Sequence, residues 1–330
     1  MPRYTYDRAV GAAQRDRLTA IAQTAEIFQA DSLASLTACP DAERIEVILT
    51  GWGSPMLTPA ILHTCPSLGL IAHCMGSLRG VVDPALLEHG VRCTNSATQN
   101  AVPVAEFLIS WVLRWNKQLP YWESVYRNPH ADFVMDDRFG DQHAAIGNMD
   151  KTVGVIGASR VGRRFMELLR HFDLDVTLAD PFVSDADAHA CGAKRLPLDA
   201  LMATSDIVSI NAPLLPETRH MIGRTELAAM RDGALLINTA RGGLVDHDAL
   251  LAEVSTGRIS AVLDVTEPEP LAADSPFFQL PNVIVTPHVA GSMGTELRRM
   301  TENTLDEVAL YLAEGRLNHE VCSRTWATAA

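Results

Sequence analysis

The sequence predicts an α/β protein built on parallel, doubly wound sheets, and three observations carry that prediction. Short apolar runs rich in β-branched residues recur at regular intervals along 330 residues. Most of them are continuously apolar rather than alternating, as strands covered on both faces have to be. Each spacer has room for one helix, so the order is strand, helix, strand. A chain of this length fills one large domain or two of ordinary size.

In the first third, RIEVILT (44–50), LGLIAHC (68–74) and VRCTN (91–95) read as strands. NAVPVAEFLISWVLRWNKQLP (100–120) reads as a helix over 103–118, with Pro103 in its first turn and Pro120 closing it. Val104, Phe107, Leu108, Trp111, Val112 and Trp115 recur on one broad face of that helix. A core helix shows the same stripe, and two tryptophans on it also suit a subunit interface. The polar stretch 127–150 reads as a surface loop. Six further strands follow: TVGVIG (152–157), DVTLAD (175–180), IVSINAP (207–213), ALLINTA (234–240), AVLDV (261–265) and VIVTPH (283–288). The last element, GTELRRMTENTLDEVALYLAEGRLN (294–318), is a long helix with Gly315 as its stop.

A formal net charge of −13 argues against a nucleic-acid binder and against docking on an anionic membrane. No apolar run reaches the length of a membrane span, and MPRYTYDRAV lacks the apolar core of a signal peptide, so a cytoplasmic location is expected. Cys39, Cys65, Cys74, Cys93, Cys191 and Cys322 are scattered with no C-x-x-C pair. They read as free thiols in a reducing compartment, and no metal site is expected.

VGVIGASRVG (153–162) comes close to the dinucleotide fingerprint G-x-G-x-x-G, with Gly157 and Gly162 in place and Ser159 where the middle glycine belongs. Ser159 adds only a hydroxymethyl group, and its hydroxyl can itself donate to a phosphate oxygen. Arg160, Val161 and Gly162 would open a helix whose N-terminus suits an anion. A purely structural strand–turn–helix reads the same way. The next strand, however, ends in Asp180, eighteen residues beyond Gly162, where a ribose-binding carboxylate belongs. Such an acid accepts from a free 2′-hydroxyl and repels a 2′-phosphate, so NAD is favoured over NADP.

NTARGGLVD (238–246), LDVTEPEP (263–270) and TPHVAGS (286–292) each place one chemically useful residue just past a strand end: Arg241, Glu269 and His288. Ligand crevices of open α/β sheets lie at those ends. Taken singly, a surface cation, a loop carboxylate and a capping histidine would look the same.

Residues 212–270, from APLLPETRH through NTARGGLVDHDAL to LDVTEPEP, closely resemble the D-isomer-specific 2-hydroxyacid dehydrogenases. NAVPVAEF, the GASRVG turn with its ADP, and TPHVAGS are similar to further landmarks of that family, in its order. The resemblance covers most of residues 45 to 315, and the first forty match poorly. It implies two Rossmann-like doubly wound domains with a cleft between them. One is a flavodoxin-like substrate domain (1–102 and 293–330), the other an NAD-binding Rossmann domain (103–292). It implies that Arg241 binds the substrate carboxylate and polarises the 2-oxo oxygen. His288 would then be the acid in reduction and the base in oxidation, with Glu269 on its far nitrogen. It places Asp264 at the nicotinamide carboxamide, Pro213 and Thr218 on the adenosine side, and Thr239, Ala240 and Gly291 near the nicotinamide. The chemistry is consistent: an arginine fork fits a carboxylate, histidine titrates near neutrality, and a carboxylate behind it favours the imidazolium.

Three features depart from the family: Ser159, Thr266 where an aromatic residue is common, and HCMGSLRGVVD (73–83) in place of a G-x-G-x-D loop. Gly76, Ser77 and Leu78 are the expected substrate contacts there, and Trp52 could wall the pocket or simply pack in the core. Arg79 adds a charge that could meet a second anionic group, or be solvated or paired. The expected activity is reversible NAD(H)-dependent reduction of a small 2-oxo acid to its D-2-hydroxy acid, in a homodimer. The alternative is an NAD(H)-sensing regulatory protein of the same fold. Glutamate at 269 counts against a formate dehydrogenase, which resembles the family but carries glutamine at that place.

Overall fold

The structure is a computed structural model that describes residues 3–22, 30, 32–127, 143 and 145–326. Its contacts divide the chain into two compact units, Met1–Ala101 with Ser292–Ala330, and Val102–Gly291. Eleven strands are described: β1 (Val47–Thr50), β2 (Leu70–His73), β3 (Arg92–Asn95), β4 (Thr152–Ile156), β5 (Asp175–Ala179), β6 (Lys194–Arg195), β7 (Ile207–Ile210), β8 (Leu235–Asn238), β9 (Ser260–Leu263), β10 (Val283–Val285) and β11 (Glu320–Val321).

The second unit holds a seven-stranded sheet in the order β10-β9-β8-β7-β4-β5-β6, parallel throughout. Alternate side chains feed two cores. Val153, Val155, Leu178, Ile207, Leu235, Ile237 and Val262 meet Phe165, Met166 and Leu169 of helix Arg160–Leu169 on one face. Ile156, Val208, Ile210, Leu236 and Leu263 meet Leu201, Met202, Leu227 and Leu250 on the other. Burying a side chain the size of Phe165 contributes roughly 1.5–3 kcal/mol, which explains why these strands carry almost no polar residues.

The first unit holds a smaller sheet, β1-β2-β3-β11, whose last strand is antiparallel. Thr50, His73 and Asn95 stand side by side at the carboxyl ends of its three parallel strands. Helix Leu297–Glu314 covers β2 and β3 and stops where the sequence predicts, with Gly315 in the left-handed region at φ 65°. The first forty residues contribute the short helices Arg3–Ala9, Ala12–Ala22 and Leu33–Thr37.

The structure corrects several expectations. The predicted helix over 103–118 runs Ala97–Asn116, so Pro103 lies inside it. The Asn95 side chain accepts from Ala97 N–H at 3.2 Å and starts the helix early, and the proline then forgoes a single backbone bond to the carbonyl of Gln99. Pro120 does not end that helix but sits in the first turn of another, Leu119–Arg127, beyond Gln118 at φ 49°. The strands expected to reach 213, 240 and 288 leave the ladder at Ile210, Asn238 and Val285, and the remaining residues form loops. The surface loop read over 127–150 lies largely outside the described residues. Among the described residues, no helix is long and apolar enough to cross a membrane, and no group of His, Cys, Asp or Glu could hold a metal ion. All six cysteines are free thiols.

Candidate active site

The near-fingerprint forms a tight turn at the end of β4. Gly157 has φ 92°, and Ser159 caps helix Arg160–Leu169, its Oγ accepting from Gly162 N–H at 3.3 Å. A Cβ on Gly162 would fall 2.1 Å from the Gly157 carbonyl oxygen, so the outer glycines are required by close approach. Capping uses a lone pair of Ser159 and leaves its hydroxyl hydrogen to donate. Asp180, just past β5, accepts from Ala158 N–H (Oδ2, 2.8 Å) and Phe182 N–H (Oδ1, 2.8 Å), which fixes its carboxylate beside the turn. It forms no ion pair among the described residues. A helix start with unbonded N–H groups and an acceptor carboxylate alongside fits a dinucleotide with a free 2′-hydroxyl.

Three adjacent strands, β8, β9 and β10, supply the loops that carry Arg241, Glu269 and His288. After β8, buried Asn238 folds the chain back: its Oδ1 accepts from Ala240 N–H at 3.1 Å and its Nδ2 donates to the Arg241 carbonyl at 2.9 Å. Thr239, Ala240 and Arg241 are half-buried, and Arg241 Nη1 donates to the Ala240 carbonyl at 2.6 Å. After β10, His288 takes φ 55°, a costly conformation for a residue with a side chain. Its N–H donates to the Asp264 carbonyl at 2.9 Å, and its Nδ1 stands 2.6 Å from Glu269 Oε1. Both side chains are about half exposed, 51% and 41%. The carboxylate takes Nδ1–H, which leaves Nε2 for a reactant.

Other expected contacts are placed differently. The expectation for Asp264 is the nicotinamide carboxamide, yet its side chain is buried and already accepts three bonds. Thr286 Oγ1 (2.6 Å) and Val289 N–H (2.8 Å) meet Oδ1, and Ala290 N–H (2.9 Å) meets Oδ2. Asp264 thereby holds the 286–290 loop that presents His288, next to Gly291. Thr218 spends its hydroxyl on its own loop, donating to the Pro213 carbonyl at 2.6 Å and accepting from Leu215 N–H at 2.8 Å. In the first unit, Leu78 is no surface contact: its side chain is buried with Leu57, Ile61, Val82 and Leu86, as an apolar residue beside that core must be. Ser77 and Gly76 are half-buried, and the Ser77 hydroxyl accepts from Arg79 N–H at 3.3 Å. Trp52 is 46% exposed, which excludes simple core packing. Asn238 and Asn100 escape the sequence reading; Asn100 lies against Gly76 and accepts from Ser292 N–H at 2.8 Å. The only signal for Asn238 is an amide side chain closing an apolar strand.

The family model for the D-isomer specific 2-hydroxyacid dehydrogenase NAD-binding domain matches residues 112–290, more than half of the chain. The chain belongs to this family. The matched domain makes NAD its cofactor. D-3-phosphoglycerate dehydrogenase of Mycobacterium tuberculosis is 32% identical over 282 residues, which are 84% of this chain and 51% of the relative. The chain therefore spans about half the length of such curated relatives. Glyoxylate/hydroxypyruvate reductase B of Yersinia enterocolitica is 35% identical over 218 residues, 65% of each chain. Among solved structures, a phosphoglycerate oxidoreductase of Rhizobium etli superposes with a TM-score of 0.81 at 22% identity, covering 98% of this chain and 97% of the other. The TT0316 protein of Thermus thermophilus gives a TM-score of 0.73 at 26% identity, over 95% of this chain and 98% of the other.

Proposed function

We propose that this dehydrogenase-family chain interconverts a small 2-oxo acid and its D-2-hydroxy acid with NAD(H). The observation that carries the reading is the His288–Glu269 pair at 2.6 Å, half exposed, past the ends of β10 and β9, the second of which lies beside β8, the strand that presents Arg241. Arg241 binds the substrate carboxylate through its fork and polarises the oxo oxygen. His288 donates the Nε2 proton to that oxygen as it becomes an alkoxide, and takes it back in oxidation. Glu269 keeps the Nδ1 proton in place and stabilises the imidazolium. Bound NAD(H) supplies or accepts the hydride. Gly157, Ser159, Arg160, Val161 and Gly162 hold the cofactor phosphates, and Asp180 holds the ribose. Pro213, Thr218, Thr239, Ala240 and Gly291 line the rest, and Asp264 acts by holding the His288 loop.

Gly76, Ser77 and the Leu78 backbone are the proposed second contact for the substrate carboxylate, with Trp52 beside the substrate. We assign dimerisation to helix Ala97–Asn116, where Trp111 and Trp115 stay half-buried beside buried Leu108 and Val112. Six free thiols support a cytoplasmic location. The relatives' names support 2-oxo acids with a hydroxymethyl or phosphorylated substituent, or none. The test is a panel of glyoxylate, hydroxypyruvate, 3-phosphohydroxypyruvate, pyruvate and branched 2-oxo acids, followed by loss of NADH absorbance. Oxidation of NADH by at least one supports the reading, and by none overturns it in favour of a sensor.

A further inference from the structure

The loop that carries Glu269 is fixed at a point the proton relay does not use. A Cβ on Gly242, the residue after Arg241, would fall 2.1 Å from the Thr266 carbonyl, so the Arg241 and Glu269 loops touch through their backbones. Glu267 is then held twice. Its carboxylate accepts from Arg219 Nη2 at 2.9 Å and lies 3.5 Å from His220 Nε2, and the Arg219 guanidinium keeps its carboxyl below the usual range. Its main-chain N–H donates to His247 Nε2 at 3.3 Å.

His247 opens helix His247–Val254 behind its cap Asp246, and its Nδ1 lies 3.1 Å from the Val245 carbonyl. A carbonyl only accepts and an amide N–H only donates. The ring is therefore neutral, with its proton on Nδ1 and the Nε2 lone pair on Glu267. Burial works in the same direction and lowers the His247 pKa, with Phe277 edge-on at 5.9 Å. Of the charged groups that face it, Glu267 and Asp246 favour the imidazolium, and His220 opposes it.

We infer that His247 is a positioning residue: its Nε2 lone pair anchors the main chain at Glu267 and so sets where Glu269, two residues on, meets His288. This rests on the proposed relay. A protonated His247 has no lone pair to offer. The anchor is present while the ring is neutral and is lost as the pH falls through the lowered pKa of His247.

The test compares the parent chain with His247→Leu, which fills the space without an acceptor, and His247→Gln, which returns an oxygen near the place of Nε2. Amide exchange at Glu267 is measured in the chain without cofactor. Values of kcat and KM are measured with NADH and the 2-oxo acid found by the panel. Loss of one hydrogen bond predicts about five- to tenfold faster exchange and a similar fall in kcat for His247→Leu, with KM and NADH affinity near the parent's. His247→Gln should recover both. Parent-like exchange in His247→Leu, faster exchange with unchanged kcat, or a His247→Gln chain as impaired as His247→Leu would each overturn the proposal. If His247→Leu does not fold, exchange at Glu267 in the parent decides. Protection relative to neighbouring amides must fall as the pH drops from neutral through the lowered pKa of His247, and a ratio unchanged down to the acid limit of the fold counts against the anchor. Failure of the relay itself shows elsewhere, as undiminished turnover in His288→Ala.

Discussion

Two histidines stand at the carboxyl side of parallel strands, one in each unit, and their surroundings make them opposites. His73 is the last residue of β2, 1% exposed, with Nδ1 2.9 Å from the Thr50 hydroxyl. Its Nε2 is buried without a hydrogen bond of normal geometry. Burial pushes its pKa from 6.5 down to about 4, with the Ser77 backbone pulling the other way. His288 lies three residues past β10, half exposed, on a carboxylate at 2.6 Å. A ring that must gain and lose a proton during turnover needs water or a charge to stabilise its cationic form. His288 has both and His73 has neither. Position at a strand end offers a place for chemistry, and the neighbours decide whether a histidine there can perform it.

The sharpest way to break the comparison is to remove each ring. His288→Ala loses the proposed proton donor, and turnover should fall by roughly two to four orders of magnitude while NADH binding persists. Steady-state kinetics with a fluorescence titration of NADH checks both parts. Undiminished kcat would remove His288 from the mechanism.

His73 predicts an effect on stability. The folded state resists its protonation, so its contribution is fully present above pH 6.5 and is lost as the pH falls towards about 4. Over that window it costs the folded state about 3 kcal/mol. His73→Gln has nothing to titrate, so urea unfolding at pH 7 and pH 4 should show a smaller acid loss by about that amount. Equal acid losses in the two chains would mean that His73 is hydrated in solution.

How much of this was legible in the sequence differs along the chain for physical reasons. The second unit announces itself because its turns need particular residues: Gly162 has no room for a Cβ, and β4 and β7 to β9 are nearly all apolar because both faces are covered. Arg241, Glu269 and His288 were visible as strand-end residues, whereas their support was not. Asp264 looks like a ligand contact in sequence, and only folding shows that Thr286, Val289 and Ala290 take up its oxygens. Leu78 belongs to a loop by motif and to the core by packing. Strands β6 and β11 have two residues each, too few for any periodicity. Pro103 reads as a helix start, but the start comes earlier, at a side-chain cap from Asn95.

The smallest expected effect tests the charge behind His288. Glu269→Gln keeps an oxygen that can accept from Nδ1 at the same place, so the ring should hold its orientation. What the substitution removes is the negative charge that favours the imidazolium. Because both side chains are half exposed, water screens much of that charge, and the displacement of the profile should be small. Its sign is fixed. In the proposed relay reduction needs His288 protonated, so the reduction rate of the variant should begin to fail at lower pH than the parent's. Oxidation needs the neutral ring, so the oxidation rate should reach its plateau at lower pH as well. Profiles of kcat/KM against pH in both directions report the free enzyme and measure both limbs. Limbs that move in opposite directions would point to a change in substrate ionisation instead. Profiles that overlay the parent's would show that the carboxylate at 2.6 Å contributes orientation without charge stabilisation.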